Sequence, residues 1–187
     1  MGSYFILECY GPEDQDRAAI GEIVDAPEVN WNLGRKFSVP IPTPIEVRLD
    51  PEQPGLLMPM FERSILLLRD DVIGTLKATG VDNLDLYPAI VFDPATGQRH
   101  EDYKAVNIIG AVRAADLSQS IYTAHGDPPL IDTDFDKLVI DETKAHGLPL
   151  FRLAECVSAK VIHARVKEAL QRHHAHLDFV DPEDWMG

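Results

Sequence analysis

The first hydrophobic run, Tyr4 to Cys9, predicts a strand that ends at the turn pair Gly11-Pro12. From Glu13 to Pro44 no single period holds. Trp31 between two asparagines, then Gly34, Arg35 and Lys36, and the close prolines Pro40 and Pro42 predict an extended or looped path. Ile45, Val47 and Leu49 alternate with Glu46 and Arg48, the signature of a half-buried strand in an antiparallel or edge position, closed by Asp50-Pro51 and Pro54-Gly55. After Ser64 the period changes. An apolar run, Ile65 to Leu68, leads into Val72, Ile73 and Leu76 at helical spacing, with Asp70 and Asp71 at the positive end of the helix dipole and Gly80 as the stop.

Two further runs, Tyr87 to Phe92 and Tyr103 to Val112, flank Pro94-Ala95-Thr96-Gly97 and predict a β-hairpin. Ser118 to Asp136 is polar and reads as a long surface connection able to carry function. Leu138 to Ile140 and Leu150 to Leu153 are predicted as short strands. Val161-Ile162 lead into a helix from Ala164 to His173 with the stripe Val166, Ala169 and Leu170, and the tail is acidic and ends in Trp185. The steps Leu68 to Leu76 and Ile162 to Leu170 echo one another, which helix packing alone explains. Together these elements predict an α+β fold: a mixed, largely antiparallel sheet with a hairpin and at least two packed helices, in a single domain spanning residues 1–187.

Composition adds a sign and a compartment. Apolar residues are 45% of the 187 and are spread along the whole chain, enough for a core. The 31 acidic against 17 basic residues leave a formal charge of -14, which repels nucleic-acid phosphates and anionic membranes and attracts basic partners. The first residues have neither a basic region nor an apolar stretch long enough for a leader or a span, so a cytoplasmic protein is expected. Cys9 and Cys156 are far apart and are expected to be free thiols.

The chemistry-bearing patterns are thin. Asp132-Thr133-Asp134-Phe135-Asp136 begins like a calcium loop, but Lys137 stands where such a loop needs Gly and Thr143 where it needs Glu, so it reads as a solvated acidic loop. His173, His174 and His176 sit at a helix end without a paired ligand at zinc spacing and are expected on the surface. Neither a nucleophile elbow nor a phosphate cradle is present, so no metal, cofactor or catalytic residue is assigned.

Several landmarks in order resemble the immunity protein family eleven of bacterial polymorphic toxin systems, a group also carried as a domain of unknown function. They are Tyr4 to Cys9; Leu66 to Leu76 with Gly80-Val81-Asp82-Asn83; Tyr103-Lys104-Ala105-Val106-Asn107; Asp116-Leu117-Ser118-Gln119-Ser120; Leu150-Phe151-Arg152-Leu153; and Val161 to Leu170 followed by Leu177-Asp178-Phe179. Arg69 and His163 depart from it, standing before the helices where a small hydroxyl cap is expected. The resemblance implies a cytoplasmic, non-catalytic protein that binds and neutralises a cognate toxin encoded by a neighbouring gene.

The expected partner surface is Asp132, Asp134, Phe135 and Asp136 with the tail residues Glu183, Asp184 and Trp185, the acids steering a basic partner and the aromatics anchoring it. Asp116 and Arg152 are expected to form a partly buried ion pair, because either left alone inside is costly. Two alternatives come from other classes: a small enzyme whose carboxylates and histidines meet in a cleft, and an adaptor for a secreted effector. The sequence does not set the oligomeric state.

Overall fold

The computed structural model describes residues 2–10 and 16–187. The Gly11-Pro12 turn lies outside the described residues. In chain order the elements are β1 (Tyr4–Glu8), β2 (Ile20–Val24), β3 (Ile45–Leu49), β4 (Met60–Glu62), β5 (Leu66–Arg69), α1 (Asp70–Ala78), β6 (Leu84–Phe92), β7 (Arg99–Ile108) and β8 (Ala111–Val112). They continue with β9 (Ile121–Thr123), β10 (Asp134–Lys137), α2 (Glu142–Ala145), β11 (Leu150–Leu153), β12 (Lys160–His163), α3 (Ala164–His173), β13 (Asp178–Val180) and a 3-10 turn at Pro182–Asp184. The class is α+β, largely strand, in mixed sheets.

Two sheets carry the fold, with strand orders β2-β3-β6-β7-β5-β4 and β13-β1-β12-β11-β8; β9 and β10 form a separate ribbon. Pairing is antiparallel except for β3 with β6 and β11 with β8. The apolar runs of β1, β5, β11 and β12 are continuous because both faces of these strands are covered, whereas β3 alternates because one of its faces is open. Phe5 and Leu7, Leu66 and Leu68, Leu150 and Ile162 join Val72, Leu76, Val166 and Leu170 of the two helices in one core. The alternate residues Tyr4, Ile6, Phe151, Leu153 and Val161 turn to a second cluster with Phe135, Leu138 and Trp185. On the other sheet Leu67, Val47, Val91 and Tyr103 turn to a third, roofed by Trp31 with Phe37 and Ile41 packed against it.

The strand-to-helix steps at β5–α1 and β12–α3 need no loop. At the second, the His163 Nδ1 accepts from the Arg165 N–H at 3.2 Å, so a ring nitrogen with a lone pair does the work expected of a hydroxyl. At the first, Arg69 makes no cap. It reaches forward to Asp71 in two hydrogen bonds of 2.8 and 2.9 Å, and Asp71, not Asp70, accepts from the Val72 N–H.

Other boundaries shift. β2 falls in the stretch expected to be extended or looped, and β3 sits inside the sheet, antiparallel to β2 as one of the two expected positions required and parallel to β6 on its other side. The hairpin is present, with its second strand starting earlier at Arg99 and its turn held by Asp93, which accepts from Ala95 N–H and Thr96 Oγ1. The polar stretch 118–136 contains β9 and the start of β10, while at 138–140 the only pairing is a single bridge from Ile140 to Ala115.

Candidate functional site

The acidic residues singled out in the sequence come from two distant segments that lie side by side. β10 pairs with β9 along one edge, and on the other Phe135 exchanges backbone hydrogen bonds with Gly187, its N–H donating at 2.6 Å. Lys137 meets Glu183 at 2.9 Å, tying the ribbon to the 3-10 turn. Strand alternation then sends Asp134 and Asp136 outward and Phe135 inward, and Asp132, Glu183 and Asp184 are exposed beside them. The Asp134 carboxylate takes a 2.7 Å contact from His125 Nε2, and this bond is the main reason the imidazole is held above its ordinary pKa.

Phe135 and Trp185 are not anchors for a partner. They are 2% and 5% exposed, packed in the cluster behind the five-stranded sheet, and Trp185 spends its indole N–H on Glu8 at 3.2 Å. Burial of both rings is what docks the ribbon and the tail. The most exposed apolar groups here are Ile121 of β9 and Met186 beyond the turn, while Tyr122 stands opposite Phe135 with its ring 6.0 Å from that ring and remains partly exposed. Sequence reasoning passed over them because a three-residue strand in a polar stretch carries no readable period; the β-branched Ile121 and aromatic Tyr122 were the available signal.

Arg152 does not pair with Asp116. Asp116 is occupied locally, accepting from Ser118 N–H and Oγ and from Gln119 Nε2, bonds that hold its carboxyl below the usual range. Arg152 alternates inward from Phe151 and Leu153, directly opposite Lys160 on β12, so two cations face each other between the sheets. Like charges at such a position repel. Glu62, from the edge strand β4 of the other sheet, resolves the conflict: one oxygen meets Arg152 Nη1 at 3.3 Å and the other bonds Lys160 Nζ. Glu8 adds a fourth charge 4.0 Å from Lys160. The carbonyls of Val157 and Ser158 accept from Arg152, and that of Ser158 also from Lys160, while Arg152 Nε and Nη2 have no partner among the described residues.

Glu8 and Glu62 also line a cleft of about 430 Å³ together with Cys9, Tyr10, Met60 and Phe61. Burial is the main cause of the upward shift of the Glu8 carboxyl, and it pushes the Cys9 thiol up to about 11, which leaves that sulfur a poor nucleophile at neutral pH. Arg17 and Arg63 at the cleft are bound to backbone carbonyls of Cys9 and Tyr10 and of Ile20 and Gly21. No histidine is among the described residues of this cleft. Of the three clustered histidines, His173 is exposed but His174 is buried between α3 and α1, its Nε2 2.8 Å from Thr75 Oγ1 and its Nδ1 3.5 Å from Asp71. No group of three or more metal-ligating side chains converges among the described residues, and both cysteines are free.

These features define a two-sheet α+β protein with an ionic tie between its sheets and an acidic ribbon on its surface. Among the described residues, no helix is long and apolar enough to cross a membrane. No family model matches the chain, and no curated protein matches it in sequence.

Proposed function

We propose that this protein is an immunity-type inhibitor that captures and neutralises a basic toxin without chemistry. The observation that carries the reading is the set of exposed carboxylates that the ribbon and the tail bring side by side, Asp132, Asp134, Asp136, Glu183 and Asp184, together with exposed Ile121 and Met186. Carboxylates raise the encounter rate with a cationic partner, and the apolar residues among them supply desolvated contact once it has docked. The ribbon presents this face on paired backbone fixed by two buried rings, so little ordering is needed on binding.

Co-expression with the product of the neighbouring gene tests this. The expected result is cell survival together with co-purification, lost when Asp132, Asp134 and Asp136 are all changed to Lys. Survival without any complex, or a complex indifferent to the triple change and to salt, would remove the reading.

A second reading, a small carboxylate enzyme, is favoured by one observation: Glu8 and Glu62 share a cleft, and burial holds Glu8 toward its protonated form. Such a pair suits general acid and base roles. Turnover of a substrate that is abolished by Glu8→Gln in a folded protein would establish it over the first.

A further inference from the structure

A groove of about 320 Å³ runs between the loop at residues 33–35 and the segments around Ile131 and Val157, lined by Leu33, Arg35, Ala111, Arg113, Ile131 and Val157 among others. Both walls are fixed through their backbones. Gly34, at φ 66°, lies so close to β8 that a Cβ would stand 2.8 Å from the Ala111 nitrogen, and its carbonyl accepts from Gly110 N–H at 2.9 Å. Asn107, fully buried in β7, spends its side-chain N–H on the Arg35 carbonyl at 2.7 Å. Opposite, Ile131 is held at φ 77° by its N–H to Ala154 and its carbonyl from Val157 N–H. A β-branched residue in that region is strained, and its side chain is nevertheless 49% exposed at the groove.

Against these fixed walls the charged groups are unspent. In a chain of net charge -14, neither Arg35 nor Arg113 forms an ion pair among the described residues. Arg113 is the weakest of the influences on the carboxyl of Glu155, a buried side chain with one oxygen unpartnered among the described residues. Guanidinium groups match carboxylate and phosphate oxygens alike. The overall negative field, however, penalises each added negative charge on a ligand, so it selects a monoanion over a phosphate dianion. The apolar floor adds a demand for hydrocarbon, and the volume lies at the small end of ligand sites.

We infer that this groove binds a small monocarboxylate with an apolar body, its carboxylate held by Arg35 and Arg113 and its hydrocarbon lying on Leu33, Ala111, Ile131 and Val157. The inference is independent of the acidic face and stands or falls without it.

Octanoate, kept below self-associating concentrations, is the probe, titrated into the full chain and followed by NMR of the Leu33, Leu130 and Ile131 methyl groups. Saturable shifts confined to those residues are expected. 1-Octanol should bind at least about tenfold more weakly, the loss of a charge-assisted hydrogen bond. Arg35→Gln and Arg113→Gln should each weaken octanoate about fivefold or more without altering the melting temperature, since both groups are surface-exposed and unpaired. Ile131→Gly serves as a second variant: it relieves the strained φ, so the melting temperature holds or rises while octanoate affinity falls. Equal binding of octanol, indifference to both arginine changes, or no saturation would overturn the inference. So would tight binding of a peptide ending in a free leucine carboxylate where octanoate fails, which would make the occupant a protein C-terminus.

Discussion

At the scale of single residues, Glu62 carries the largest consequence. It is the shared counter-ion of two cations that are almost wholly removed from solvent. Replacing it by Gln leaves Arg152 and Lys160 facing each other with only Glu8, 4.0 Å from Lys160, to offset them, an expected loss of about 3 kcal/mol in urea unfolding, within the range for breaking buried pairs. Adding Arg152→Met and Lys160→Met should recover most of that loss; a Glu62→Gln protein within about 0.5 kcal/mol of wild type would mean the cluster is solvated.

His174 gives a second residue-scale prediction. Burial is the main force pulling its pKa below the ordinary 6.5, with Asp71 opposing. The unfolded chain therefore takes up this proton before the folded one does, and stability contributed by the neutral ring is present above the unfolded pKa and drains as pH falls through it toward the folded value. Asp71, whose carboxyl is lowered first by its bonds to Arg69, adds a loss in the same direction at lower pH. His125 works the other way: raised by Asp134, its favourable contribution exists below the unfolded pKa and vanishes as pH rises through the folded one. Melting temperature should drop between pH 7.5 and 5.5, within the usual His titration range, and His174→Asn should flatten that slope; an unchanged slope would assign it elsewhere.

At the scale of elements, the contact between the 33–35 loop and β8 is unforgiving. Gly34→Ala adds a Cβ against backbone in a left-handed conformation, and destabilisation of about 2 kcal/mol or more is expected by chemical denaturation. Equal stability would mean the loop can lift away from β8. This scale also separates what was legible in the sequence from what was not. β1, β5–α1, the hairpin, β11 and β12–α3 stand out because their hydrophobic residues sit where both faces of a strand or one stripe of a helix are covered. β2, half-exposed and containing Gly21, and β9, three exposed residues long, bury too little for a period to form. The acidic residues of the candidate face were readable as charge, but Phe135 and Trp185 could not be told apart from surface aromatics until both sides of their pocket were in place. Arg152 was recognisable as needing a partner. Its true partner lies 90 positions away on a strand whose only mark is three residues, and Asp116 was favoured instead because it too reads as a charge among apolar residues that would be costly to leave unpaired.

At the scale of the whole molecule, a charge of -14 on 187 residues makes the compact state repel itself. Exposed pairs such as Arg48 with Glu22 and Lys137 with Glu183 offset little of this. Raising sodium chloride from about 10 mM to about 150 mM, which shortens the screening length from roughly 30 Å to 8 Å, should raise the melting temperature. A fall would mean that local attractive pairs outweigh the repulsion. The same change should slow association with a basic partner, so stability and binding respond to salt with opposite signs.

Glu62 has one more implication, for how the molecule comes apart. Because a strand on the rim of one sheet neutralises two charges in the middle of the other, parting the layers even slightly strips both at once, and a graded separation has no cheap intermediate. Peeling of β4 and exposure of β11 and β12 should therefore occur in the same event. In native-state hydrogen exchange, amides of Phe61, Arg152 and Val161 should share one opening free energy in wild type and split into separate classes once the carboxylate is removed.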